Sequence, residues 1–488
     1  MKYRLKKALA ASALLWACAL PWAQAAQAQG LGELIQKKVL KNGLTVLVLE
    51  DHSVPLATVE IAVKHGAYTE PPEFNGLSHL YEHMFFKGNA AIPNQEAYLK
   101  RMRELGIVFN GTTSSERVNY YFTMPSKNIT EGIVFMRDAI VTPKFDEEEF
   151  KREIQVVIGE VDRNESNPFF WFLRAQEELL WFKHPTRKDV LGDRDTITTS
   201  TIKKMRTIQE RYYVPNNSVL VIAGDVDPSR AFADAEREFA SWKPSKKDPH
   251  IAHPVPVHPA LPATSSFVLH KQVQVPYVQV AWHGPSVRSD EKATYAADVL
   301  SFILGQPASA FQKALVDSGV TLGASLGYYT QAHTGPISAS AQMRPDKLEE
   351  AVEALLTEVY KMTDPTYFTD EQLASAKKIL AVQSTYEREK TSSLVQTVSF
   401  WWSVAGLDYY VNYLDNLEKV TREDIARYVE AYLIDKPFVA GLLIDEQVGA
   451  DIGMDAAAFD ALVKKVEAKV KAKHKAKRAA TRTSSPDH

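Results

Sequence analysis

The 488-residue sequence holds a single cysteine, Cys18, and it falls within the first twenty residues. If that start is removed, the remaining chain can build no disulfide, no thiolate metal site and no cysteine nucleophile. Any metal must then be held by His, Asp or Glu. Long apolar runs are also lacking. Beyond residue 30 no uncharged stretch approaches the roughly 20 residues a membrane-spanning helix needs. The formal net charge is only -3, so the body carries no basic signature of nucleic-acid binding. Collagen-like, mucin-like and coiled-coil bias are absent. What is present is ordinary for a globular protein, with 45% hydrophobic and 24% charged residues. The length exceeds what one hydrophobic core supports, which implies several domains.

The first residues differ from the rest. Lys2, Arg4, Lys6 and Lys7 precede an uncharged apolar run from Ala8 to Leu20, then Pro21 and the small-residue site Ala23-Gln24-Ala25. This is the layout of a cleavable secretory signal over residues 1–25. The expectation is an exported, periplasmic chain with no integral membrane span after signal removal. Lipidation at Cys18 is the alternative, and Trp16 fits it badly.

Residues 246–262 read KKDPHIAHPVPVHPALP. Five prolines there exclude a helix interior or a central strand, so the segment reads as an extended linker. It separates residues 31–245 from residues 263–450, and these halves resemble each other. TVLVLEDHSVPLATVEIAV from Thr45 and SFVLHKQVQVPYVQVAW from Ser266 both read as strand, turn, strand around a Val-Pro pair. TIKKMRTIQERYYVPNNSVLVIAGDVD from Thr201 and TREDIARYVEAYLIDKPFVAGLLIDE from Thr421 both read as helix, break, strand. The Val-Pro pairs lie 221 positions apart and the threonines 220, so an internal duplication is expected. Strand pairs followed by helices predict an α+β fold: two homologous α/β-sandwich halves, each a mostly antiparallel sheet with helices on one face. Residues 451–488 are rich in lysine and alanine, which predicts a solvated basic tail, helical and then disordered.

The chemistry concentrates in NGLSHLYEHMFFKGN, residues 75–89. On a helix, Leu77, Leu80, Tyr81, Met84 and Phe85 form one apolar face. His79, Glu82 and His83 fall on the other. Histidines four apart stand one turn above each other and can grip one ion, with Glu82 in reach of a water on it. A pair of surface histidines is the bland alternative; the added glutamate at this spacing argues against it. The order H-x-x-E-H is the inverzincin signature.

A catalytic zinc site needs a third protein ligand. DEEEFKREIQVVIGEVDRNES, residues 146–166, offers an apolar helical stripe with Glu153 and Glu160 two turns apart on one edge. One could ligate while the other orients a histidine. Spacing alone leaves the two equal. GIVFNGTTSSERVNYYFTMP, residues 106–125, reads as a glycine-containing turn into a strand.

H-x-x-E-H followed after 76 residues by a glutamate resembles the pitrilysin/insulinase peptidases, which include the mitochondrial processing peptidases. The resemblance covers most of residues 35–445. It implies that His79, His83 and Glu160 hold one Zn²⁺ per chain, that Glu82 is the catalytic base and that Glu153 is the supporting carboxylate. It implies that Asn110, Gly111, Thr112 and Thr113 line a substrate-binding edge, and that the halves enclose a chamber. The activity expected is a zinc metalloendopeptidase acting on peptides or unfolded protein segments. The second half lacks the metal motif. The family often carries an Arg and, seven residues on, a Tyr in this half; here those positions are Leu315 and Leu322. That departure suggests a homologous partner subunit supplying the pair, or a homodimer. The alternative function is a non-catalytic or partner-dependent subunit of a heteromeric complex.

Overall fold

The computed structural model describes residues 31–483; the expected signal segment, Cys18 and the last five residues lie outside them. Among the described residues eleven strands form two sheets. The first half contributes β1 (Ile35–Val39), β2 (Thr45–Glu50), β3 (Leu56–Val63), β4 (Val108–Thr113), β5 (Val118–Pro125) and β6 (Ser218–Gly224). The second contributes β7 (Ser265–His270), β8 (Tyr277–His283), β9 (Gly323–Tyr328), β10 (Pro336–Gln342) and β11 (Val439–Ile444). The first sheet runs β1-β2-β6-β3-β5-β4 and the second β7-β11-β8-β10-β9. Each is antiparallel except for one parallel pair, β2 with β6 and β7 with β11. Without β1, the two orders are the same. The register agrees as well, since Glu60 opposite Val221 corresponds to Gln279 opposite Gly441. The α+β class and the duplicated halves expected from the sequence are those of the structure.

The helices that matter for the site are α1 (Leu77–Phe85), α2 (Glu147–Glu165), α3 (Pro168–Leu180), α4 (Ile202–Tyr212), α5 (Glu291–Leu304), α6 (Asp370–Tyr386), α7 (Thr391–Val404), α8 (Arg422–Tyr432) and α9 (Ala456–Thr483). By place in the fold, α1 to α4 correspond to α5 to α8. The repeated threonine has a physical cause. Thr201 caps α4 by accepting from the Lys204 N–H, and Thr421 caps α8 by accepting from Asp424.

Every residue of β6 and of β11 is buried, so each sheet is covered on both faces rather than one. One face carries the half's own helices. The other is covered by a helix lent from the opposite half. Val395 and Val398 of α7 pack on Leu47, Val219, Val221 and Ala223 of the first sheet. Reciprocally, α3 lies on the second sheet, where Gln176 Nε2 donates to the Val439 carbonyl at 2.9 Å.

Two expectations need correction. The proline-rich segment is not extended throughout. Pro249–Ala252 makes one helical turn, with Asp248 accepting the His250 N–H and Pro249 at the first helical position. Nor is the basic tail merely solvated. In α9, Phe459, Leu462, Val463, Val466 and Val470 are buried in the second half's core. They recur at helical spacing, and the lysines occupy the opposite face.

Candidate metal centre

Helix α1 divides as its periodicity requires. Leu77, Leu80, Tyr81, Met84 and Phe85 are buried in the core of the first half, and His79, Glu82 and His83 line a cavity of about 550 Å³. The helix start has no side-chain cap of its own, because Gly76 occupies the N-cap position with φ 87°. The cap comes from Glu70. Its Oε2 accepts the Gly76 N–H at 2.9 Å, and its Oε1 accepts the Ser78 N–H and the Ser78 hydroxyl, the latter at 2.6 Å. His65 Nε2 stands 2.8 Å from the same hydroxyl. Burial raises the Glu70 carboxyl to about 7 against these hydrogen bonds. This network fixes the helix that carries His79, Glu82 and His83. No sequence motif points to it, since Glu70 lies outside the H-x-x-E-H segment in an irregular stretch.

The Nε2 atoms of His79 and His83 are 3.2 Å apart. Glu160 Oε2, on α2, lies 3.7 Å from the first and 3.6 Å from the second. Among the described residues these three side chains form a set whose ligating atoms all lie within 4.8 Å of one another. Helix α2 is started by Asp146, which accepts from Glu148 and Glu149, and by three acids in its first turn. Glu153, two turns before Glu160 on the same edge, accepts from His83 Nδ1 at 2.8 Å and from Lys87 Nζ at 2.6 Å. Donation from Nδ1 leaves the His83 Nε2 lone pair facing His79 and Glu160. Burial opposes charge on Glu153, but its bonds to His83 and Lys87 outweigh that and hold it below the usual carboxylate range.

The donor set fits zinc. Tetrahedral bonds of about 2.05 Å would put two nitrogens about 3.3 Å apart, close to the spacing found. Burial, then the neighbouring His83, lowers His79 to about 4, so its imidazole is neutral and free to ligate. Among the described residues the buried His79 Nδ1 has no hydrogen-bond partner.

Glu82 projects beside this set. Burial raises its carboxyl, and the Thr113 hydroxyl donates to Oε2 at 2.6 Å. Asn110, Gly111, Thr112 and Thr113 lie in β4, a regular strand rather than a turn; the chain reverses after them, at Ser114–Arg117. Among the described residues β4 ends the sheet and pairs with β5 alone. Gly111 has a further role that its sequence did not reveal. A Cβ there would lie 2.8 Å from Glu82 Oε1 and 2.9 Å from Glu82 Cγ, so the glycine leaves room for the carboxylate.

Leu315 is fully buried in the second half's core, whereas Leu322 is exposed. Lys188, which belongs to no sequence motif, lies on the cavity wall. It donates to Gln331 Oε1 and, at 3.2 Å, to the Thr334 carbonyl, tying the site to the second half.

The chain is similar to known proteins in sequence and in fold. Residues 45–181 match the model of the insulinase family, peptidase family M16, and residues 199–380 match that of the peptidase M16 inactive domain. An uncharacterized zinc protease of Rickettsia felis is 27% identical over 355 residues, covering 72% of this chain and 84% of that one. A protease from Helicobacter pylori superposes with a TM-score of 0.74 at 22% identity, covering 84% of this chain and 99% of that one. The first half of the periplasmic protease PqqL from Escherichia coli gives 0.72 at 16% identity, covering 89% and 97%.

Proposed function

The chain belongs to the insulinase (peptidase M16) family, and from that premise we propose that it is a zinc metalloendopeptidase cleaving peptides or unfolded protein segments. The observation that carries this reading is the convergence of His79, His83 and Glu160 within 4.8 Å, with Glu82 beside them. In this reading the three side chains hold one Zn²⁺ and Glu153 orients His83. Zn²⁺ bound there supplies Lewis acidity that acidifies a water and polarises a carbonyl. Glu82 takes the proton of the attacking water and delivers it to the amine nitrogen of the departing peptide. The Thr113 hydroxyl holds the carboxylate in place for both transfers. The free edge of β4 takes the substrate as an added strand through Asn110 to Thr113. Main-chain contacts then dominate, and sequence tolerance is broad.

The reading places the mature chain in the periplasm. The basic and apolar start of the sequence supports this, as does a structural neighbour named as a periplasmic protease. Among the described residues no helix is long and apolar enough to cross a membrane.

A second reading is favoured by one observation: leucines stand where the resemblance implies an Arg and a Tyr, one of them within the core. In it the chain cleaves only with a homologous partner subunit that supplies the pair. Zinc analysis and a peptide-cleavage assay, with and without chelator and with and without the co-expressed partner, test both. His83→Ala should lose metal and activity together; stoichiometric zinc in that variant would refute the ligand assignment.

A further inference from the structure

The duplication brings two equivalent turns together. In the first half the turn is 114–117, between β4 and β5; in the second it is 329–335, between β9 and β10. β4 and β9 hold the same end position in their sheets, with β5 and β10 beside them, so the turns are counterparts. Glu116 of the first turn reaches the second. Its Oε2 accepts the Ala332 N–H at 2.6 Å. Its Oε1 accepts the His333 N–H at 3.2 Å and lies 3.1 Å from His333 Nδ1. The His333 ring in turn stacks on Tyr68, with centroids 4.0 Å apart.

The Glu116 side chain is only 8% exposed. Burial opposes its charge, but the bond with His333 and the nearby Lys188 outweigh that and hold its carboxyl below the usual range. A buried carboxylate with several donors is a firm anchor, since losing them would leave its charge unpaired. The next residue grips the second half as well. Arg117 donates to the Gln396 carbonyl at 2.6 Å and to the Ser399 hydroxyl at 2.8 Å, both on α7. The first half holds the turn from its other side. The Ser115 carbonyl accepts the Tyr68 N–H at 2.8 Å, and a Cβ on Gly66 would collide with the Ser114 carbonyl oxygen. Thr113 stands immediately before this turn, paired with Val118. Its hydroxyl donates to Glu82 Oε2 at 2.6 Å. The backbone between Thr113 and Glu116 is stiffened by the Ser114 N–H, which donates to the Arg117 carbonyl at 2.8 Å. A shift of Glu116 therefore carries the Thr113 hydroxyl with it.

We propose that Glu116 is a positioning residue: through its bonds to Ala332 and His333 the second half sets where the Thr113 hydroxyl holds the Glu82 carboxylate. The catalytic part rests on the peptidase reading; the tether between the β4 end and the second half does not. The half without metal ligands then acts on the proton transfer, so its loss of grip should appear in kcat and not in zinc content.

Amide hydrogen exchange on the zinc-loaded full chain tests the tether without any cleavage. In Glu116→Ala, residues 108–117 should exchange roughly tenfold faster or more, while α1 keeps its rates. Peptide cleavage tests the positioning. Glu116→Ala should lose about tenfold or more in kcat, with KM and zinc content unchanged. Glu116→Gln, whose amide oxygen still accepts an N–H, should recover most of that loss. In a Thr113→Val background the loss should vanish, because both changes act through one hydroxyl; a general loss of stability would add to the Thr113→Val effect instead. His333→Ala, at a partly exposed ring, keeps both backbone donors and is the milder variant that decides if Glu116→Ala does not fold. Its smaller changes in exchange and in kcat should follow the same pattern. Unchanged exchange over 108–117, wild-type kcat in Glu116→Ala, or additive losses with Thr113→Val overturn the proposal. If the chain cleaves nothing, the peptidase reading fails, and the exchange rates still decide whether the second half holds the β4 end.

Discussion

Glu153 Oε1 lies 2.8 Å from Nδ1 of His83, a hydrogen bond that spans 70 residues of sequence. It fixes the tautomer of a ring whose other nitrogen faces Glu160 at 3.6 Å. Replacing Glu153 by Ala should therefore lower zinc affinity by roughly 10- to 100-fold without abolishing binding. A competition titration against a chromogenic chelator measures this, and an unchanged dissociation constant would remove Glu153 from the metal site.

Glu82 is not one of the three clustered donors, so Glu82→Gln should retain one zinc per chain. Its turnover should fall by roughly 10²- to 10⁴-fold, the usual contribution of a positioned acid–base group. Metal analysis and peptide cleavage on the same sample check both halves of the expectation. Wild-type turnover in this variant would mean that another group moves the proton.

Gly111→Ala is the subtler test. Its new methyl group meets Glu82 at under 3.0 Å, and the carboxylate must shift away from the metal-facing position. Turnover should fall on the order of 10²-fold, the cost of misplacing a reacting group by about an ångström. Zinc content should not change. A fully active Gly111→Ala enzyme would show that Glu82 acts from elsewhere.

Glu60 predicts a pH effect on stability away from the metal. It is fully buried at the centre of β3, and its hydrogen bond from Ser399 joins the first sheet to α7. Burial raises its carboxyl from 4.5 to about 7, against the opposing pull of Arg117. The folded state thus binds the proton more tightly than the unfolded one. That contribution is present in full below about pH 4.5 and is lost as pH rises through 7. The loss is on the order of 3 kcal/mol. Urea melts at a series of pH values should show a shallower decline in Glu60→Gln than in wild type between these limits. Identical slopes would show that Glu60 does not titrate there.

Part of this architecture is written in local residue patterns. Histidines 79 and 83 had to share a helix face with Glu82, because 3.6 residues per turn allows nothing else once Leu80, Tyr81 and Met84 are buried. The duplication was legible because the Val-Pro turns and the capping threonines are local devices, and local devices leave local patterns. Several features could not be read this way. Spacing left Glu153 and Glu160 equivalent; only the packing of α2 on α1 turns one toward both imidazole Nε2 atoms and the other toward a single Nδ1. Glu70, Lys188 and the clearance above Gly111 depend on segments brought together from distant parts of the chain. The same holds for the exchange of α3 and α7 between the two sheets, which is why the central strands lack the alternation that one solvated face would impose. Periodicity fixes which side of an element is apolar, and the long-range packing decides what each polar side meets.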